Sequence, residues 1–192
     1  MKTITIDNSR SIPHVRNHFA GLNWCLKATG KDKALEGMAG TILSDDGILI
    51  CTDGSRMHLY RQDTEMLSAA YVVPNGLWVV VSKSASAIVL GEAGNKSFPG
   101  CWAVLDGPSR NLGKFRPKGS EYDYASFLFG LARLHKDCFR SDLIQDAMMP
   151  CEEYRVDLRG RMLVFGSDTF IAALMPYREE AGGMWTAGGY NA

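Results

Sequence analysis

Neither sign of charge prevails in this sequence: Lys and Arg together number 21, and so do Asp and Glu. That balance excludes an overall basic coat for nucleic acid, but not a basic patch offset by acidic surface elsewhere. Long apolar runs are also missing. The stretch Leu77 to Val81 falls far short of the roughly 20 residues that a bilayer span requires. Residues Met1 to Asp7 alternate like a strand and lack the continuous apolar core of a secretion signal. The cysteines, Cys25, Cys51, Cys101, Cys138 and Cys151, are odd in number and share no short repeated spacing. This argues against a disulfide framework and for reduced thiols. A soluble, cytoplasmic protein is the expectation.

What is present is ordinary globular material. Hydrophobic residues make up 46% and charged residues 22%, which excludes a disordered or fibrous chain. The 192 residues suffice for one large domain or two of about 100 residues.

The spacing predicts a helix over 13–29, entered through Ser11 or Ile12, with Pro13 in its first turn and Gly30 at its end. Val15, Phe19, Leu22 and Leu26 share one face, while Arg16, Asn23 and Lys27 share a flank. Trp24 points away from the apolar stripe, toward a subunit contact or the linker. Strands follow. Ala39 to Ser44 and Ile48 to Thr52 flank Asp45-Asp46-Gly47, a hairpin signal. Met57 to Arg61, Tyr71 to Val73, Trp78 to Val81 and Ala87 to Leu90 read as further strands.

Residues 106–120 hold three Gly, two Pro and four basic residues and read as a linker. A second helix is expected from Glu121 to about Cys138, with Phe127, Leu131, Leu134 and Cys138 buried and Arg133, Lys136 and Arg140 opposite. Glu153 to Leu158, Met162 to Phe165 and Ile171 to Met175 close the series as strands. The order of helix and then strands thus occurs twice. This is an α+β arrangement with each helix on one face of an antiparallel sheet.

Three pieces carry a family resemblance. Leu35 to Arg61, containing Thr52-Asp53-Gly54-Ser55-Arg56-Met57, resembles the middle domain of the bacterial DNA polymerase III beta subunit, the sliding clamp. Phe98 to Leu105 is similar to the Phe-Pro strand that ends that domain. Met175-Pro176-Tyr177-Arg178 is similar to the family's Met-Pro-x-Arg end. The resemblance implies two DNA-clamp-like domains, 1–105 and 121–192, joined by 106–120. The family has three domains per subunit, each with two helices lining the ring. Here the segment after Pro74, GLWVVVSKSASAIVLG, is rich in β-branched residues that oppose the second helix.

In that family the two motifs form a groove at a domain junction for a short peptide from polymerases and clamp loaders. Carried onto this chain, the groove residues are Thr52, Gly54, Ser55, Arg56, Met57, Ala173, Met175, Pro176, Tyr177 and Arg178. Gly54 allows close approach, Pro176 stiffens an extended edge, and the apolar side chains give soft walls. The competing reading makes Met57 and Met175 core, Arg56 and Arg178 solvated, and Asp53 a turn residue. Cations facing duplex DNA without base readout would be Arg16, Lys27, Arg133, Lys136 and Arg140, unless they are simply the wet side of amphipathic helices. A two-domain subunit would close a six-domain ring as a homotrimer.

No cofactor, metal or catalytic residue is expected. His14 with His18, and His135 with Cys138, have helical metal spacings but lack further ligands. Cys51 reads as a buried thiol, and Gly91 to Ser97 departs from a phosphate-binding loop. The expected function is a clamp-like protein that tethers DNA-processing partners and surrounds duplex DNA. The alternatives are a clamp-fold module that forms no ring and binds clamp-binding peptides, and a small enzyme of unrecognised type.

Overall fold

A computed structural model describes residues 2–8, 11–29, 40–94, 98, 100, 103–106, 108–116, 127, 139–149 and 153–176. The chain forms two compact units. The first comprises Met1–Cys101 with Asp168–Ile171, and the second Trp102–Ser167 with Ala172–Ala192.

The first unit contains strands β1 (Thr3–Asp7), β2 (Thr41–Asp45), β3 (Ile48–Thr52), β4 (Arg56–Arg61), β5 (Gly76–Lys83) and β6 (Ala87–Glu92), and helix α1 (Pro13–Cys25). Its strands lie in the order β1-β6-β5-β2-β3-β4, antiparallel in each registered pair. The β2–β3 hairpin turns on Asp46 and Gly47, both at positive φ (46° and 74°). That is the conformation a two-residue hairpin prefers, and the Asp-Gly pair supplies it.

Helix α1 starts at Pro13, runs into one 3-10 turn (Leu26–Ala28) and is closed by the Thr29 hydroxyl, which donates to the Leu26 carbonyl (2.8 Å). The predicted stripe Val15, Phe19, Leu22 and Leu26 is buried. So are His18, Trp24 and Cys25, so more than half of the helix circumference faces protein. The helix packs on β1, β3 and β4. At Gly21 an added Cβ would overlap the Tyr60 ring, so glycine is required there by close approach.

Trp24 does not point outward. It is 4% exposed, stacks on His58 (4.3 Å, 9°) and meets Phe170 edge-on (5.3 Å). The four-residue apolar stripe underestimates the buried arc of a helix whose second flank, through His18, Gly21 and Cys25, is covered as well, and Trp24 falls in the part it omits.

The segment Tyr71 to Val73 is not a strand. Its backbone is satisfied otherwise: the Gln62 side-chain amide donates to the Val73 carbonyl (3.1 Å) and accepts from the Val73 N–H (2.8 Å). The Ser44 hydroxyl donates to the same carbonyl (2.9 Å). One buried glutamine replaces the ladder partner that a strand would need. The segment 76–92, where the sequence opposes a helix, forms the β5–β6 pair, with a bulge between Val80 and Ser82.

The second unit has a short helix α2 (Ala103–Asp106), strand β7 (Ser109–Phe115), helix α3 (Ser141–Ala147) and strands β8 (Tyr154–Arg159), β9 (Met162–Gly166) and β10 (Phe170–Leu174). The order is β10-β9-β8-β7, and the division between units falls within β10. Phe115, Phe127, Tyr154 and Phe165 cluster, with Phe115 stacked on Phe127 at 4.4 Å. The Tyr154 hydroxyl donates to the Met149 carbonyl, and Leu143, Ile144 and Ala147 bury one side of α3.

Two expectations are corrected here. Within the stretch 106–120, residues 109–115 are not free linker, because they form β7 and pair with β8. The side chains of β7 are mostly exposed, and a wet edge strand has a linker's composition. The expected strand over Phe98 to Leu105 contains the helical turn α2; Pro99 offers no ladder donor and Gly100 weakens a strand. Apart from Phe127, the helix expected over 121–138 lies outside the described residues.

Candidate functional site

The Thr-Asp-Gly-Ser-Arg turn joins β3 to β4 in the first unit. Thr52 and Met57 are paired across the ladder, and the residues between them organise one another. Asp53 Oδ1 accepts from the Ser55 N–H (3.0 Å), the Ser55 hydroxyl (2.7 Å) and the Arg56 N–H (3.0 Å). Asp53 Oδ2 accepts from Arg56 Nε (3.0 Å). The Thr52 hydroxyl donates to the Arg56 carbonyl (2.7 Å) and accepts from the Gly54 N–H (3.1 Å). Gly54 sits at φ 85°, a conformation other L-residues avoid. Each residue type in this motif therefore has a local structural reason, and Asp53 is the hub of the turn.

Gly54 and Ser55 are exposed at the tip. Met57 is 4% exposed and Ala173 3%, so both lie in the packed interior rather than on an open wall. Met175 is 46% exposed, and Pro176 is half-buried. Tyr177 and Arg178 lie outside the described residues. The peptide-groove expectation thus divides within each unit: Gly54 and Ser55 in the first and Met175 and Pro176 in the second present surface, whereas Met57 and Ala173 are buried.

The cationic expectation also divides. Arg16 on α1 and Lys27 in the 3-10 turn that continues it are exposed, with half-buried Asn23 on the same flank. Neither forms an ion pair among the described residues. Arg140 is exposed at the entry to α3 and is held by Asp142 (2.5 Å), whose carboxyl is lowered mainly by that contact. Arg133 and Lys136 lie outside the described residues. Sequence reasoning missed Lys83 at the end of β5. Its ammonium is held below the ordinary lysine range by partial burial and by the charge of Lys27. Its place in a strand, remote in sequence from α1, gave no signal.

Buried titratable groups belong to the core. His18 is 1% exposed and is pushed down to about 4 by desolvation, against an opposing backbone contact from Tyr71. It therefore stays neutral at pH 7. Cys51 is fully buried, and its thiol is pushed up by burial and by neighbouring Cys25, contrary to what a nucleophile needs. Among the described residues no three His, Cys, Asp or Glu side chains group as metal ligands. Nor is any helix there long and apolar enough to cross a membrane.

No protein-family model and no curated protein sequence matches this chain. Solved structures do. The sliding clamp of Bacillus subtilis matches 93% of this chain over 65% of its own length, with TM-score 0.55 and 11% identity. The DNA polymerase III beta subunit of Thermotoga maritima matches 93% over 66%, with TM-score 0.57 and 10% identity. That of Borrelia burgdorferi, solved with a natural product, matches 93% over 64%, with TM-score 0.56 and 10% identity. The chain spans about two thirds of the length of these proteins. Two antiparallel sheet units, a turn built on Thr-Asp-Gly-Ser-Arg and a match across nearly the whole chain give one conclusion: this chain has the fold of the bacterial sliding clamps, the beta subunits of DNA polymerase III.

Proposed function

We propose that this protein is a clamp-like, non-catalytic binding protein that holds duplex DNA through its phosphate backbone and tethers DNA-processing partners through a short peptide. One observation carries the reading: within a sliding-clamp fold, the exposed flank of α1 carries Arg16 and Lys27, without carboxylate partners among the described residues. Cations free to meet phosphates, which are the same at every base pair, suit a surface that must tolerate every sequence. Arg133, Lys136 and Arg140, in the second unit, are the further DNA-facing cations of the proposal. Gly54, Ser55, Met175, Pro176, Tyr177 and Arg178 offer the peptide surface, with Thr52 and Arg56 fixing its turn and Met57 and Ala173 supporting it. Two clamp-like units per chain make a homotrimer the ring that encloses six.

The test is retention on DNA of the two topologies. With the loading factor of its host, a ring is held on nicked circular duplex through a high-salt wash and slides from the linearised form. Equal loss from both contradicts encirclement. A second reading, a clamp-fold module that forms no ring and binds only peptides, is favoured by β5 and β6. They stand after Pro74, where the resemblance calls for a second ring-lining helix. Equal loss from both DNA forms, together with a particle of 21.1 kDa in solution, supports that module.

A further inference from the structure

The α1 flank does not end at the helix. Arg16, Ala20 and Asn23 form one wall of an open recess of about 780 Å³, and Lys83, Ser84 and Ala85, at the β5–β6 turn, form the other. Lys27 continues the helix wall, close enough for its charge to act on Lys83. From Arg16 to Lys27 is 11 residues of helical stretch, about 16 Å at 1.5 Å per residue. Along that length lie three cations from two elements far apart in sequence, and none is ion-paired among the described residues. Folding has gathered like charges there, which lowers stability unless an anion occupies the recess.

The turn that presents Lys83 is built. The Ser84 hydroxyl accepts from the N–H groups of Ser86 (3.2 Å) and Ala87 (3.0 Å). The Asn8 side-chain amide donates to the Ala85 carbonyl (3.1 Å), and the Asn8 N–H donates to the Ser86 carbonyl (2.7 Å). The backbone that carries Lys83 is therefore braced at the strand end.

We infer that Lys83 is a phosphate-binding residue which, with Arg16 and Lys27, makes this recess a seat for the backbone of one strand of duplex DNA. The recess exceeds what a single phosphate needs, and Arg16 and Lys27 stand about three turns apart along the helical stretch, a spread that suits successive phosphates better than one compact anion. This inference rests on the DNA-binding reading above and adds to it a residue outside the helices.

The experiment measures affinity for a fluorescent duplex of arbitrary sequence against salt, for the full chain and for Lys83→Gln, Lys83→Arg and the double variant Arg16→Gln/Lys27→Gln. Each lost phosphate contact lowers the slope of log affinity against log salt by about 0.9. Lys83→Gln is expected to lower the slope by about one and Lys83→Arg to restore it, with the temperature of thermal unfolding lowered in neither. If the double variant lowers the slope and Lys83→Gln does not, this inference is overturned while the DNA-binding reading stands. If the unaltered chain shows no salt-dependent binding, both fall. Inorganic tripolyphosphate is the competing probe: equal dependence on Lys83 for it and for the duplex overturns the assignment to a nucleic-acid backbone.

Discussion

The two sides of α1 divide the labour of the molecule. One side carries His18, Gly21, Leu22, Trp24 and Cys25, all buried, with ring contacts from His18 to Tyr60 (5.8 Å) and from Trp24 to His58. The Cys25 thiol there lies within reach of two carbonyls that can accept its one hydrogen, those of Leu49 (3.5 Å) and His58 (3.3 Å). The other side carries Arg16, Ala20 and Lys27, exposed, with half-buried Asn23. The contrast teaches that the buried arc answers to fit and the outer arc to charge. Substitutions on the first should change stability, and those on the second should change binding alone.

The largest effect is expected at Trp24. Trp24→Ala removes a buried aromatic that contacts both His58 and Phe170, and should lower unfolding free energy by about 3–5 kcal/mol, read by urea denaturation. A loss below about 1 kcal/mol would erase the contrast from the buried side.

The next effect is at His18, through pH. Its folded pKa of about 4 lies below the ordinary 6.5, so the unfolded chain takes up the proton first. Its neutral burial therefore favours the fold fully above pH 6.5, and that contribution is lost as pH falls from 6.5 towards 4. The total is about 3 kcal/mol, at about 1.4 kcal/mol per pH unit. Subtracting the stability of His18→Gln from that of the unaltered chain at each pH isolates the effect. The difference should shrink by that amount between pH 7 and pH 4, whereas a flat difference would show that His18 takes up its proton as readily in the fold as in the unfolded chain.

How much of this was legible in the sequence follows the same division. Where one face is wet and the other dry, the pattern is readable. Val15, Phe19, Leu22 and Leu26 were placed correctly, and so were the Asp46-Gly47 hairpin and the strands from Thr41 to Arg61. Where most side chains of a strand are exposed, as in β7, its composition is that of a linker. Tyr71 to Val73 has strand composition, but Gln62 satisfies Val73 through a side chain, which no period in the sequence reports. The Thr-Asp-Gly-Ser-Arg motif was legible as a turn with a family resemblance. Its hydrogen bonds show why the sequence could not separate a recognition role from a structural one, since Asp53 and Thr52 are both engaged within the turn. Lys83 was illegible because its partners, Arg16 and Lys27, are assembled with it only by folding.

The smallest stability effect tests the central claim most directly. In the double variant Arg16→Gln/Lys27→Gln, unfolding free energy should stay within about 0.5 kcal/mol of the unaltered chain, while the salt slope of duplex binding falls by about two. An unchanged slope would contradict the account, because the outward flank of α1 would then be solvated surface and not the face turned toward DNA.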